Sequence, residues 1–254
     1  MAVSKKPAPG VRPPASSDRK HTAARPRNRL LAALPDADYR RILPELKTVP
    51  MALRHVFHRR GEPIEHVYFP NGGVCSVTAV MKDGAAVEVA TVGDEGMLGI
   101  TAFWDHGLMT AGETLCQVAD TSAEQMTVQA FRKEVDRRGP FHDGMSRYAQ
   151  GAMALMMQST ACMALHGVQE RCCRWLLMTH DRVGSDQFEL SHEFIAILLG
   201  STRPTVTVVA GILQKAGLIR YKHARITIVD RQALEAASCE CYTTIKAEYA
   251  RLGL

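Results

Sequence analysis

The chain is most tightly punctuated between Leu190 and Asp230, and that punctuation leaves few folds open. Ser191, whose hydroxyl suits an N-cap, precedes Phe194, Ile195, Leu198 and Leu199 at helical spacing. Gly200 follows the last apolar residue, where a left-handed residue ends a helix. Ser201 or Thr202 restarts one, with Pro204 in its first turn, where a missing N–H costs nothing. Val206, Val209, Ala210 and Leu213 form one apolar stripe facing the first helix, so Arg203, Pro204, Thr207 and Val208 point away from the core. The run from Arg220 to Asp230 reads as a β-hairpin. Helix, tight turn, helix and hairpin make a winged helix-turn-helix, a layout that sets one short helix in the major groove of DNA. An ordinary helical hairpin fits the apolar pattern too, but charge argues against it. Between Gly200 and Val229 there are five basic residues (Arg203, Lys215, Arg220, Lys222, Arg225) and no acidic one, a surface suited to phosphate.

At 254 residues the chain is long enough for two domains, and 46% hydrophobic content supports real cores. It has no apolar run of membrane-spanning length and no signal-peptide core, so no membrane partner and a cytoplasmic location are expected. The net charge of +5 is uneven. Residues 1–29 hold eight Lys/Arg and one Asp, and the rest holds 23 basic and 25 acidic residues. Residues 1–27, rich in Pro, Ala and Ser, read as a disordered basic tail. Seven cysteines without secretory signals imply free thiols. Cys172-Cys173 and Cys239-x-Cys241 both fall in sequence that reads as helical, where neighbouring side chains diverge too far to chelate one ion. No metal and no cofactor is therefore expected. No phosphate-binding glycine loop or nucleophile elbow occurs, so the chain is not expected to be an enzyme.

Upstream, residues 28–47 read as an amphipathic helix carrying Leu30, Leu31, Leu34, Tyr39, Ile42 and Leu43. From Val56 to about Val128 the pattern is short strands and turns. Val74–Met81 and Ala86–Val92 alternate around Asp83-Gly84, a strong hairpin signal. Residues 112–119 and 125–130 read as further strands of an antiparallel roll. A short helix runs to Arg138, and Gly139-Pro140 breaks it. Residues 141–168 then form one long helix, about 42 Å if continuous. It is apolar around most of its girth, which requires burial on two sides. One side can pack on the roll, and a second copy is the simplest cover for the other, with Leu155 and Met156 in that interface. Residues 168–183 add a helix with Trp175, Leu176, Leu177 and Met178. The expected class is α+β, divided as a 1–27 tail, a 28–140 sensor-like roll, a 141–168 dimerisation helix and a 169–254 winged helix-turn-helix unit with a C-terminal helix.

Gly61-Glu62, Tyr68-Phe69, the Asp83-Gly84 hairpin, Gly93–Gly99 and above all Leu190–Asp230, in this order, resemble the Crp/Fnr family of bacterial transcription regulators. The resemblance covers about residues 28–230. It implies a cyclic-nucleotide-binding-like roll and a homodimer on a two-fold-symmetric site in double-stranded DNA, with RNA polymerase as a further partner. It also implies that Arg203 reads a base, that Pro204 and Val208 occupy two further reading positions, and that Ser201 and Thr207 lie beside them. Thr202 and Thr205 match phosphate contacts, Lys222 matches a wing contact, and His192 matches a position opening the preceding helix. Pro204 offers no hydrogen bond and Val208 only an apolar contact, so the operator is not given by the family pattern.

The effector pocket maps onto Glu88, Gly96, Met97, Leu98, Gly99, Glu113 and Thr114. Cyclic-AMP-binding members place a carboxylate where Met97 stands and an Arg near Glu113-Thr114, where there is none. Cyclic AMP is thus not the expected effector, and none is assigned. An N-terminal cysteine cluster of the Fnr type is absent, and Cys75 and His55 read as structural. The expected function is sequence-specific transcription regulation. For the sensor, an effector-free regulator and a redox or haem sensor stay open. A ligand-sequestering or enzyme-regulating module is the alternative from another class; it needs an intact phosphate pocket.

Overall fold

The computed structural model describes residues 25–104, 109–110, 112–119 and 121–254. Most of the basic tail, residues 1–24, lies outside them. Of its last residues, Arg25 is held by contacts rather than left in solvent, its guanidinium 5.1 Å from the Tyr39 ring centre.

The expected helix over 28–47 is broken into α1 (Arg29–Ala32), α2 (Asp36–Ile42) and a 3-10 turn (Leu43–Glu45). Pro35 cannot continue a helix and instead sits as the N-cap of α2. Chain from Lys47 onward is already strand. The roll holds β1 (Lys47–Met51), β2 (Val56–His58), β3 (His66–Pro70), β4 (Val74–Val80), β5 (Ala86–Val92), β6 (Glu113–Val118) and β7 (Thr121–Thr127). They form two antiparallel sheets, ordered β1-β7-β3 and β2-β6-β4-β5. The β4–β5 turn forms at Asp83-Gly84 as the sequence indicates, with Gly84 at φ 87° and the Asp83 carboxylate accepting the Ala85 N–H. The strand expected over 125–130 ends at Thr127, whose side chain accepts the Ala130 N–H and caps α3 (Val128–Asp136).

The long helix is α4 (Pro140–Leu165), ending before His166-Gly167, after which α5 (Val168–Val183) begins. Its apolar girth has a different explanation from the one expected. Phe141, Met145, Tyr148 and Ala152 pack into the roll. A second side is covered by this chain's own C-terminal helix: a side chain on Gly151 would meet Leu254 at 2.9 Å and Tyr249 at 3.6 Å. Leu155, expected in a dimer interface, is 2% exposed within the single chain, and Met156 is half-buried. The stripe left open is Met153, Met157 and Leu165, at 51%, 71% and 79% exposure, with Ala161 and Ala164 between.

Beyond α5 come β8 (Gln187–Glu189), α6 (His192–Leu198), α7 (Arg203–Lys215), β9 (Ile219–Lys222), β10 (Arg225–Ile228), α8 (Arg231–Ala236) and α9 (Cys241–Arg251). Strands β8, β10 and β9 make the third sheet. The C-terminal segment is thus two helices, broken at Ser238-Cys239. Cys239 is outside both, so the premise that Cys239 and Cys241 share one helix is wrong.

Contacts join the two halves. Helix α5 packs on the roll through a core containing Val74, Ala90, Val118, Leu155 and Trp175. Arg182 of α5 pairs with Glu95 in the Gly93–Gly96 turn at 2.8 Å, and both side chains are at most 10% exposed. Gly96 has a packing reason: a Cβ there would lie 2.5 Å from the Tyr148 ring, whose hydroxyl donates to the Met97 carbonyl at 3.1 Å.

Candidate nucleic-acid interface

Ser191 caps α6, its Oγ accepting the Phe194 N–H at 3.3 Å. Gly200 takes φ +54°, as a helix-ending residue in a sharp turn requires. Thr202 caps α7, accepting the Thr205 N–H at 3.4 Å. The two helices cross at 104°, within the helix-turn-helix range of roughly 90–120°. Val206, Val209, Ala210 and Leu213 are buried, as their spacing predicts. The opposite face of α7 presents Arg203, Pro204, Thr207, Val208 and Ile212 to solvent.

The residues expected at DNA are gathered at one end of the molecule, but they are not alike. Arg203 is exposed, and its Nε lies 2.9 Å from Glu193, an exposed pair of little net strength. Thr202 and Thr205 hydroxyls bond each other at 2.9 Å, and Ser201 is half-buried in the turn. His192 is held on two sides. Its ring stacks on Tyr221 with centroids 4.2 Å apart, and Nδ1 lies 3.0 Å from the Thr207 hydroxyl, which donates to the Arg203 carbonyl. Burial holds the His192 pKa below its usual value, favouring the neutral ring. The ring thereby ties α6, α7 and the wing together, a link the sequence did not signal. The wing turns through His223 and Ala224, both at positive φ (50° and 58°), and leaves Lys222 exposed at its tip. Around it Lys215, Arg220 and Arg225 are exposed.

The residues mapped to an effector pocket separate. Met97, Gly99 and Thr114 line a cavity of about 230 Å³ between the roll and α4, with Val77, Val89 and Tyr148. Gly96, Leu98 and Glu113 do not line it, and Leu98 is core. Among the described residues no Arg, Lys, Asp or Glu lines this cavity. His58 does, with Nε2 at 2.8 Å from the His66 carbonyl, and burial lowers its pKa toward the neutral form.

Glu88 does not line that cavity. Its carboxylate accepts the Trp175 indole N–H at 2.9 Å, the Gln117 amide at 2.8 Å and the Ser76 hydroxyl. It is therefore a polar link between roll and α5. Burial pushes its pKa up to about 7, against the opposing pull of Ser76, Arg174 and Trp175. A carboxyl raised above its unfolded value of about 4.3 contributes stability that is complete below that value. The contribution is lost as pH rises through about 7. Glu88→Gln is therefore expected to gain in melting temperature over the unaltered chain between pH 5 and about 7.5, then level off. Thermal melts of both proteins across that range check this, and a constant difference would mean that Glu88 titrates normally.

Residues 170–237 match the Crp-like helix-turn-helix domain family. A CRP-like cAMP-activated global transcriptional regulator from Mycobacterium tuberculosis is 23% identical over 197 residues, 75% of this chain and 87% of that protein. A transcriptional regulator of the Crp/Fnr family from Eubacterium rectale superposes with a TM-score of 0.66 at 17% identity, covering 83% of this chain and 98% of that one. The c-di-GMP responsive global regulator CLP from Xanthomonas campestris gives 0.64 at 15% identity, over 77% of this chain and 100% of that one. Fold and helix-turn-helix domain define a Crp-like transcription regulator with a C-terminal DNA-binding domain. Residues 170–237 are thus a Crp-like helix-turn-helix domain, and the fold of the described chain is shared with solved Crp/Fnr regulators. Among the described residues no single helix is long and apolar enough to cross a membrane; the one apolar pair that is, α6 with α7, bends by 104°.

Proposed function

We propose that the chain acts as a homodimer on a two-fold-symmetric operator, with the exposed face of α7 in the major groove of each half-site. The observation that carries this is the juxtaposition of Arg203, Pro204, Thr207 and Val208 on one open helix face with the exposed charges of Lys215 at the end of α7 and of Arg220, Lys222 and Arg225 on the wing. Two such helices in a two-fold dimer reach half-sites about 34 Å apart. Residues 28–140 serve as the sensor unit, 141–168 as the dimer helix and 169–254 as the reading unit, with the location cytoplasmic and RNA polymerase as a further partner. The relatives named above answer to cAMP and to c-di-GMP, and neither effector carries over. A cyclic phosphate wants a fixed cation, and the lining of the roll cavity supports an uncharged effector or none.

Within this reading Arg203 donates to guanine O6 and N7, the commonest specific contact. Its exposed pairing with Glu193 is weak enough to exchange for the base. Arg203→Ala is expected to cost about 1–3 kcal/mol per half-site and to relax specificity at one base position. Lys222→Ala is expected to weaken all sequences alike and to reduce the salt slope by about one per subunit. Operators selected from a random DNA pool, followed by binding to matched and scrambled duplexes over a salt series, test both. Equal loss on both duplexes for Arg203→Ala would make Arg203 a phosphate contact, and no sequence-selective complex at all would remove the proposal.

A further inference from the structure

Three cysteines and a histidine converge where α4 ends. Cys162 and His166 stand four apart at the last turn of α4 and so share a face. Cys239 and Cys241 flank Glu240 at the start of α9, where the non-helical backbone of Cys239 lets both sulfurs face the same point. The Cys162 and Cys239 sulfurs lie 3.5 Å apart, and Cys241 Sγ lies 3.5 Å from His166 Nδ1. All four ligand atoms fall within 4.8 Å of one another. A tetrahedron with Zn–S bonds of about 2.3 Å and a Zn–N bond of about 2.0–2.1 Å has edges of roughly 3.5–3.8 Å. We propose that Cys162, His166, Cys239 and Cys241 form a tetrahedral site for one thiophilic divalent ion, zinc by its chemistry.

The surroundings support the charge such a site would carry. Arg171 and Arg174, on the first turns of α5, are each 6% exposed, and neither Nε has a hydrogen-bond partner. Their NH1 groups reach only the Met163 and Met178 sulfurs. Arg174 lies close enough to Cys162, and Arg171 to Cys162 and Cys239, for their charges to interact. Glu88 also feels Arg174, but no carboxylate forms an ion pair with either arginine among the described residues. Three neutral thiols would leave these buried guanidinium groups without an ion-pair partner, which is costly. Three thiolates and one divalent ion carry a net −1, with the thiol protons released to solvent. Gln158 adds an amide donor to Cys241 Sγ at 3.0 Å, the kind of outer hydrogen bond that orients a ligand and stabilises a thiolate. Thiolate and imidazole ligands select against magnesium and calcium. Convergence on one point fits a single ion rather than a multi-iron cluster.

Such an ion would clasp α4 to the α8–α9 junction across the His166-Gly167 break, from which the reading unit departs. The test uses the full chain, reduced, stripped with a chelator and titrated with cobalt(II) alone. One equivalent is expected to give the intense visible bands of tetrahedral cobalt with a thiolate charge-transfer band, and zinc is expected to displace it. Cys241→Ser is expected to lose that signature and the zinc-dependent rise in melting temperature. His166→Cys keeps four ligands and is expected to retain both, with a stronger charge-transfer band, so folding failure is separated from ligand loss. A wild-type spectrum no different from that of Cys241→Ser, or isolation of a Cys162–Cys239 disulfide with no tetrahedral cobalt binding on reduction, would overturn the site.

Discussion

Arg182→Ala is expected to lower the melting temperature by on the order of 10 °C. Arg182 lies on the last turn of α5, and its Nε and NH2 groups meet Glu95 at 2.9 and 2.8 Å. The same carboxylate accepts the Gly93 N–H at 3.2 Å, while Arg182 NH1 donates to the Met178 carbonyl at 3.0 Å. Both side chains are almost fully buried, at 10% and 6% exposure. Removing one partner from such a pair leaves a charge without water and costs about 3–5 kcal/mol. In a chain of this size each kcal/mol moves the midpoint by roughly 2–4 °C. The pair also joins the roll to α5, so its loss loosens the seam between sensor and reading halves. The exposed Arg225–Glu189 pair, at 58% and 65% exposure, provides the comparison, and Arg225→Ala is expected to cost no more than about 1 kcal/mol. Combining Arg182→Met with Glu95→Gln removes both charges and is expected to recover most of the loss. Circular dichroism melts of the three variants and the unaltered chain decide it, and an Arg182→Ala shift no larger than that of Arg225→Ala would refute the argument.

How much of this was legible in the sequence depended on whether local rules or distant contacts set each feature. Ser191, Gly200, Thr202 and Pro204 announced α6, the turn and α7, because caps and left-handed residues act within a few positions. Asp83-Gly84 announced its hairpin for the same reason. Strands β1 and β8 were missed. Pro50 interrupts the first, and the second is three residues long, paired only by β10. The expected helix over 28–47 yielded to Pro35.

Site residues divide along the same line. That Arg203 and Lys222 are exposed follows from helix phase and hairpin geometry. That His192 stacks on Tyr221, or that Glu88 accepts from Trp175, depends on partners 29 and 87 residues away, which no periodicity encodes. The cysteine pair at 239 and 241 was discounted because the segment read as helical, and the break at Ser238-Cys239 removes that objection. A signal was present: Cys162-x-x-x-His166 puts two ligands on one helix face, four residues apart.

The largest functional loss is expected from Met157→Glu. On α4, burial inside the chain accounts for Leu155, Cys162 and the roll-facing residues, but not for Met153, Met157, Ala161, Ala164 and Leu165. Those five lie at helical spacing on the open side, and Met157 and Leu165 are the most exposed large apolar residues of the helix, at 71% and 79%. The homodimer proposed here would bury them against the same stripe of a second copy. At a two-fold axis one substitution acts twice, bringing two carboxylates into an apolar contact. At about 3–5 kcal/mol, that raises the dimer dissociation constant roughly 100- to 1000-fold or more. Operator binding falls with it, because a monomer holds one half-site only. Leu155→Glu separates interface from core: it places a charge inside the folded chain, so it is expected to unfold the protein rather than dissociate it. Met157→Leu keeps the apolar contact and is expected to remain dimeric. Sedimentation at micromolar concentration, paired with melts to establish folding, distinguishes these outcomes. A folded Met157→Glu variant that sediments as an unchanged dimer would place the interface elsewhere and leave the open stripe of α4 without that role.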